Sequence, residues 1–184
     1  MRLNNPLVAS FPYGGVEYQI DLAFDNVLDV LDVFDDADLR GYEKAEICLT
    51  LLLGERSYES SVDLWNYVYE TFIHVESKQP IEYDRKGNPM PVQKELKQTI
   101  DFGKDAEHIF ASFQQAYGMN LFQMQGKLQW AEFRALLSGL PSDTIMQRII
   151  QIRLWEPSRG ESSEHKQNMR DLQKIYALEE IEEE

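Results

Sequence analysis

The sequence is poor in the features that mark several classes of protein. It contains one cysteine, Cys48, among its 184 residues, which excludes an intramolecular disulfide and favours a reducing cytoplasm as the compartment. No run of about 18 or more apolar residues occurs, so the sequence predicts no membrane-spanning helix. The N-terminus also lacks the continuous apolar segment of a secretory signal.

Basic residues are scarce as well. The chain has 18 Lys and Arg against 32 Asp and Glu, which gives a formal net charge of -14. Since a nucleic-acid backbone must be met by basic side chains, this balance argues against a nucleic-acid partner. It disfavours an anionic membrane surface for the same reason. Only a locally basic face around Lys86 and Lys94 would support nucleic-acid binding.

Motifs that carry chemistry are missing too. The three histidines, His74, His108 and His165, lie in separate predicted elements, and no Cys or His pair has metal-ligand spacing. Asp105 and His108 share one predicted helix, but two groups do not make a site. Cys48 lies in an apolar helix without an adjacent base, so we expect a small buried hydrophobe. The sequence therefore predicts no catalytic, cofactor or metal site, and we expect a non-enzymatic protein.

The residues that are present favour helices. Hydrophobic residues make up 43% of the chain, which is enough for a core of ordinary size. Amphipathic stretches with a period of 3.6 residues alternate with Gly or Pro stops. We predict a mainly α fold, a single helical domain of about six helices with a short N-terminal β-hairpin. The domain covers residues 1–156, and residues 157–184 form a C-terminal helix with an acidic tail.

The N-terminal hairpin is predicted at residues 7–20. Its strands are residues 7–11 and 16–20, and Gly14-Gly15 supplies the positive φ angles of a tight turn. Residues 78–98, by contrast, carry prolines and charges of both signs. We interpret them as a mobile surface loop.

Two apolar stripes in residues 101–140 form the predicted centre of the fold. The first stripe ends at Gly118, which can adopt a left-handed helix terminus. Because the stripes are close in sequence, we expect them to pack on each other as a helical hairpin. The core residues that we assign to them are Phe110, Phe113, Tyr117, Trp130, Phe133 and Leu137.

The polar residues around the helices lead to further predictions. We expect Asp21 to cap the first helix, and Ser142 or Asp143 to cap the helix after Pro141. Arg148 and Arg153 are expected outside the apolar face of that helix. Trp155, at its end, is a candidate partner-binding residue.

An acidic face on the first helix is the main candidate surface. It comprises Asp25, Asp29, Asp32 and Asp36, at spacings of four, three and four residues. Like charges at this spacing repel, so the helix must be held by its buried face. One interpretation is a solvated face. A second is a docking surface for a basic partner segment, and a carboxylate metal site ranks third because no neutral ligand accompanies it.

Several short motifs recur in a pattern that is typical of one protein family. They are a Tyr-Gly-Gly hairpin at Tyr13, Asp105-Ala106, Ala111-Ser112-Phe113, Tyr117-Gly118, the Trp130-containing stretch 128–140, and Ile152-Arg153. With these motifs the chain resembles the bacteriophage gp-fifteen family of long-tailed phages and prophages of Gram-positive bacteria. The resemblance covers most of residues 8–155, but Gln129 stands where the family pattern has histidine, so any chemistry of that histidine would be lost.

The resemblance implies a role in tail morphogenesis, since the family's genes lie close to the tape-measure gene. It implies a tail assembly chaperone that binds the tape-measure protein in the host bacterial cytoplasm and is absent from the mature virion. The alternative is a minor structural component of the tail, and an enzyme or metal-binding protein is the alternative of another class. Weak homo-oligomers are also expected.

Overall fold

The computed structural model describes residues 4, 6–55, 58, 60–74, 99–158 and 160–178. In this part of the chain a two-stranded antiparallel hairpin precedes seven α-helices, so the mainly α prediction is confirmed. The predicted loop at residues 78–98 lies outside the described residues. The elements are β1 (Ser10–Tyr13), β2 (Val16–Gln19), α1 (Phe24–Asp35), α2 (Gly41–Leu53), α3 (Ser61–Val68), α4 (Ala106–Tyr117), α5 (Trp130–Ser138), α6 (Ile145–Leu154) and α7 (Ser163–Ile175).

The hairpin turns at the predicted glycines. Gly14 and Gly15 have φ angles of +56° and +80°, the signs that a type I′ turn requires. This two-residue loop pairs Tyr13 directly with Val16. Strand β1 therefore runs up to the turn, rather than ending at residue 11 as predicted.

The described residues fall into two compact units. The first combines Met1–Lys78 with Phe122–Leu136, and the second combines Gln79–Leu121 with Leu137–Glu184. The predicted helical hairpin pairs α4, which belongs to the second unit, with α5, which lies mostly in the first unit. The packing of these two helices on each other stays a prediction.

In the first unit, α2 packs against both α1 and α3. An extended piece before α1 pairs with the start of α5: the Phe24 amide donates to the Leu128 carbonyl at 2.9 Å, and the Trp130 amide to the Leu22 carbonyl at 2.7 Å. Phe133 of α5 stacks on Phe24, with ring centroids 4.9 Å apart. The buried apolar residues of the three helices are Phe24, Val27, Val30, Ala45, Cys48, Leu49, Leu52, Leu64, Trp65 and Val68.

Helix α3 continues into a π-helical turn, Tyr69–Ile73. The Ile73 carbonyl at its end accepts hydrogen bonds from Trp130 Nε1 and from the Arg134 guanidinium, each at 3.2 Å. Arg134 also lies 5.9 Å from the centroid of the Trp130 ring. Trp130 therefore combines apolar burial with a satisfied indole N–H, as buried tryptophans usually do.

In the second unit, α4 packs against α6 and α6 packs against α7. Helix α4 ends where predicted, with Gly118 in the left-handed conformation at φ +61°. Of the predicted core residues, Phe113, Trp130, Phe133 and Leu137 are buried and Phe110 is half-buried.

Tyr117 is a correction to the predicted core, since it is 37% exposed. It is the last residue of α4, where the helix turns off at Gly118. Its ring still contacts Phe113 edge-on, with the centroids 5.7 Å apart. The apolar stripe of α4 therefore ends in a residue that lies at the edge of the core.

The predicted caps differ from those observed. Ala23, rather than Asp21, precedes α1, and the Asp21 carboxylate accepts from the Ala23 amide in a local turn. Thr144 precedes α6 in place of Ser142 or Asp143, and its hydroxyl donates to the Pro141 carbonyl. In both cases the residue that was predicted as the cap lies in the turn before the helix, one or two positions ahead of the residue that precedes its first turn.

No helix in the described ranges has the length and apolar character needed to cross a membrane.

Candidate protein-interaction surface

Helix α1 presents two of its carboxylates on the side opposite its core residues. Asp29 and Asp32 are exposed, and within the described structure neither carboxylate has a hydrogen-bond or ion-pair partner. They lie on the same face because residues three apart are neighbours on a helix surface. These two residues are the part of the predicted acidic face that lies on the helix, is exposed and has no partner in the described structure.

The other two predicted carboxylates have structural roles. Asp25 Oδ1 accepts from the amide of Gly126 at 2.9 Å, a contact that spans 101 residues and ties the turn before α5 to α1. Asp36 lies one residue beyond α1 in extended backbone, and its Oδ1 accepts from the Asp38 amide. Asp36 therefore does not continue the helical face, and the predicted four-residue row is shorter than expected.

Three hydrogen bonds fix the pairing of α1 with α2. Asn26 Nδ2 donates to the Leu51 carbonyl at 3.0 Å. The Cys48 thiol donates to the Val30 carbonyl at 3.7 Å, and Lys44 Nζ donates to the Phe34 carbonyl at 2.6 Å. As the residue number rises along α1, the partner number falls along α2. The two helices are therefore antiparallel neighbours.

An apolar strip follows from this register. Ile47 and Leu51, one turn apart on α2, are 39% and 36% exposed. The two side chains flank the buried face of α2 on the side toward α1, since at about 100° per residue Leu51 lies about 100° from buried Leu52. The flank of α1 that approaches α2 adds half-buried Val33. We call Val33, Ile47 and Leu51 the α1–α2 strip.

Carboxylates border the strip on both sides. Asp29 and Asp32 lie along the edge of the strip that α1 forms. Exposed Glu46 lies beyond the other edge, on the side of α2 that faces away from α1. Lys44 lies beside the strip as well, and its ammonium bonds the Phe34 carbonyl and lies 5.8 Å from the Phe34 ring. Lys44 keeps its positive charge, but the three carboxylates outnumber it, so the net charge beside the strip is negative.

Among the described residues, a buried ion pair lies in the second unit. Arg153 of α6 makes a two-pronged contact with Asp105, at 2.6 and 2.8 Å. The same guanidinium donates to the Thr99 carbonyl at 2.8 Å and to the Tyr176 carbonyl at 2.7 Å. One side chain thus joins the entry of α4, the end of α6 and the end of α7.

Both members of this pair are buried. The Arg153 side chain is 10% exposed and that of Asp105 is 2% exposed. Burial by itself raises the pKa of Asp105, but hydrogen bonds from Arg153 and from the Asp101 amide, with the charge of Arg153, lower that pKa overall. The prediction that Arg153 lies outside the packed face of α6 is wrong, because it is turned inward by this carboxylate.

Trp155 also serves the second unit. It is half-buried just after α6, its ring contacts His165 of α7 edge-on at 6.2 Å, and its carbonyl accepts from Gln173 Nε2 at 2.8 Å. Gln173 also bonds the Ile152 carbonyl at 2.9 Å. Trp155 therefore packs on α7, a role that the sequence pattern did not separate from partner binding.

Cys48 is fully buried, as predicted. Burial raises the pKa of its thiol to about 11, so the reactive thiolate is scarce at neutral pH. In the described residues, no three His, Cys, Asp or Glu side chains are grouped so that they could hold a metal ion.

One family model matches nearly the whole chain. Its description is Bacteriophage Gp15 protein, and the match covers residues 3–178. No curated protein and no solved structure matches the chain.

Proposed function

The chain belongs to the bacteriophage Gp15 protein family, and from that premise we propose that it is a tail assembly chaperone that binds the tape-measure protein. The proposed role is non-enzymatic. It takes place in the host cytoplasm during tail morphogenesis, and the protein leaves before the virion is complete.

The observation that carries this proposal is the α1–α2 strip. Exposed apolar side chains in a chain with a net charge of -14 combine two properties that a chaperone needs. The apolar side chains can cover an amphipathic helix of a client, as in helix-in-groove recognition. The surrounding negative charge keeps the complexes apart in solution.

Co-expression with the tape-measure protein of the same phage tests the proposal. We expect the tape-measure protein to be insoluble when expressed alone and to elute with this chain in one soluble peak when the two are expressed together. An unrelated acidic helical protein of similar size is the control for charge alone. A tape-measure protein that is equally soluble with the control would refute the proposal.

Composition of the finished particle separates a chaperone from a structural component. Purified virions, probed with an antibody against this chain, are expected to lack it, while lysates of infected cells contain it. A constant number of copies per virion would assign the chain to the tail structure instead.

A further inference from the structure

The shape and charge of the α1–α2 strip define the chemistry of its partner. Its apolar centre is narrow, because Ile47 and Leu51 lie on successive turns of α2 and Val33 lies on the neighbouring helix α1. Two successive side chains on one helix with a third beside them on its neighbour can accept the apolar stripe of another helix.

The borders of the strip select for charge. A helix that lies over Ile47 and Leu51 brings its own flanking residues over Asp29 and Asp32 on one side and over Glu46 on the other. Acidic flanking residues in the partner would be repelled, and Lys or Arg would be attracted and would need only a partial loss of hydration.

From these two features we infer that the α1–α2 strip binds an amphipathic helix of the tape-measure client in which basic residues flank the apolar stripe. This inference rests on the proposed function and adds to it the binding face and the character of the client segment. Ile47 and Leu51 lie four positions apart on α2, a distance of about 6 Å at 1.5 Å per residue. The apolar contact therefore covers about one turn of the bound segment.

A pair of polar substitutions tests the apolar part of the strip. The variant Ile47→Ser/Leu51→Ser removes side chains that are already partly in solvent, so the fold should persist, as circular dichroism can verify. The matched control is Val62→Ser, which changes an exposed apolar residue of α3 in the same unit. On co-expression, we expect the double variant to bring at least ~10-fold less tape-measure protein into the shared soluble peak than wild type, and the control to bring as much as wild type.

Neutral isosteres test the charged borders. The variant Asp29→Asn/Asp32→Asn and the control Asp63→Asn/Glu70→Gln remove the same amount of charge, the latter from exposed positions on the α3 segment. We expect weaker binding, with a smaller dependence on salt, for the first variant only. Equal weakening by both would show that net charge acts without a defined site, and would overturn the inference.

A synthetic probe makes the test independent of the tape-measure protein. The full chain is titrated with an 18-residue helical peptide of Leu and Lys, and with its Leu and Glu counterpart. We expect saturable binding of the Lys peptide alone, lost in Ile47→Ser/Leu51→Ser. If wild type binds no tape-measure protein, the proposed function fails. If wild type binds it and Ile47→Ser/Leu51→Ser binds it equally well, the function stands and the assignment of the strip is refuted.

Discussion

Replacing Arg153 by methionine is expected to be among the most damaging single changes in the second unit. Methionine retains much of the length of the side chain and removes every donor. The Asp105 carboxylate then stays buried with the Asp101 amide, at 3.0 Å, as its remaining donor of those described. The carbonyls of Thr99 and Tyr176 each lose a charged donor at the same time.

The magnitude follows from the burial of the partner. Removing one member of a buried ion pair costs about 3–5 kcal/mol, because the other charge is left uncompensated. That is a large fraction of the total stability of about 5–15 kcal/mol that is usual for a protein. Replacing both members, as in Asp105→Leu/Arg153→Met, leaves no buried charge and should cost far less than the single change.

The pH dependence gives a second, independent signature. In wild type the folded-state pKa of Asp105 is lowered, so this carboxylate stabilises the fold above its unfolded pKa of about 4, and the contribution is lost as the pH falls through the folded pKa. In Arg153→Met the donors and the charge of Arg153 are gone, so burial, the largest cause, is opposed mainly by the Asp101 amide and the pKa of Asp105 rises. The variant therefore regains stability on acidification, and its deficit relative to wild type shrinks between pH 7 and about pH 4.

Urea denaturation followed by circular dichroism at several pH values measures both effects. Arg148→Met is the matched control, since Arg148 is exposed on the same helix, and it should unfold within about 0.5 kcal/mol of wild type. An Arg153→Met variant within about 1 kcal/mol of wild type at pH 7 would refute the argument. So would a deficit that is constant with pH, because the buried carboxylate would then not be its cause.

Three further outcomes are expected. Trp130→Ala should destabilise the fold by about 3–5 kcal/mol, and equal melting temperatures for this variant and wild type would contradict the prediction. Trp130→Phe should destabilise it by clearly less, since phenylalanine loses chiefly the hydrogen bond to the Ile73 carbonyl. Burial raises the pKa of the Cys48 thiol to about 11, so the thiol should react with a thiol reagent only on unfolding, and rapid labelling of the native protein would argue against its burial. The contribution of this thiol to stability should be full below about pH 8.5 and should be lost as the pH rises through 11. Sedimentation velocity should show monomers or small oligomers at low salt and larger assemblies as added salt screens the net charge of -14, whereas a monomer at every salt and protein concentration would remove self-association.

Glycine positions and hydrophobic periodicity were sufficient to predict the type of most elements. The Gly14-Gly15 turn and the end of α4 at Gly118 were predicted because few other residues adopt positive φ at low energy. The burial of Phe113, Phe133 and Cys48 follows from the apolar period of their helices. These features depend on residues a few positions apart, which the sequence displays directly.

The acidic face of α1 was predicted only in part. Its helical spacing placed Asp29 and Asp32 in solvent, but spacing carries no information on what approaches from elsewhere in the chain. The contact of Asp25 with Gly126 arises because the segment before α5 returns to α1. Likewise, the exposure of Ile47 and Leu51 depends on which sides of α2 are covered by α1 and α3.

The sequence by itself determined the helical class, the hairpin turn, the strongly negative charge and, through short motifs, the family. Only the tertiary structure decided that Asp105 and Arg153, both within those motifs, form one buried pair across 48 residues, and that Ser112 of α4 accepts from the Met146 amide at the start of α6. The physical reason is range. A turn or a helix is stabilised by neighbours in the chain, whereas a buried charge is stable only where folding brings its distant counter-charge within hydrogen-bond distance.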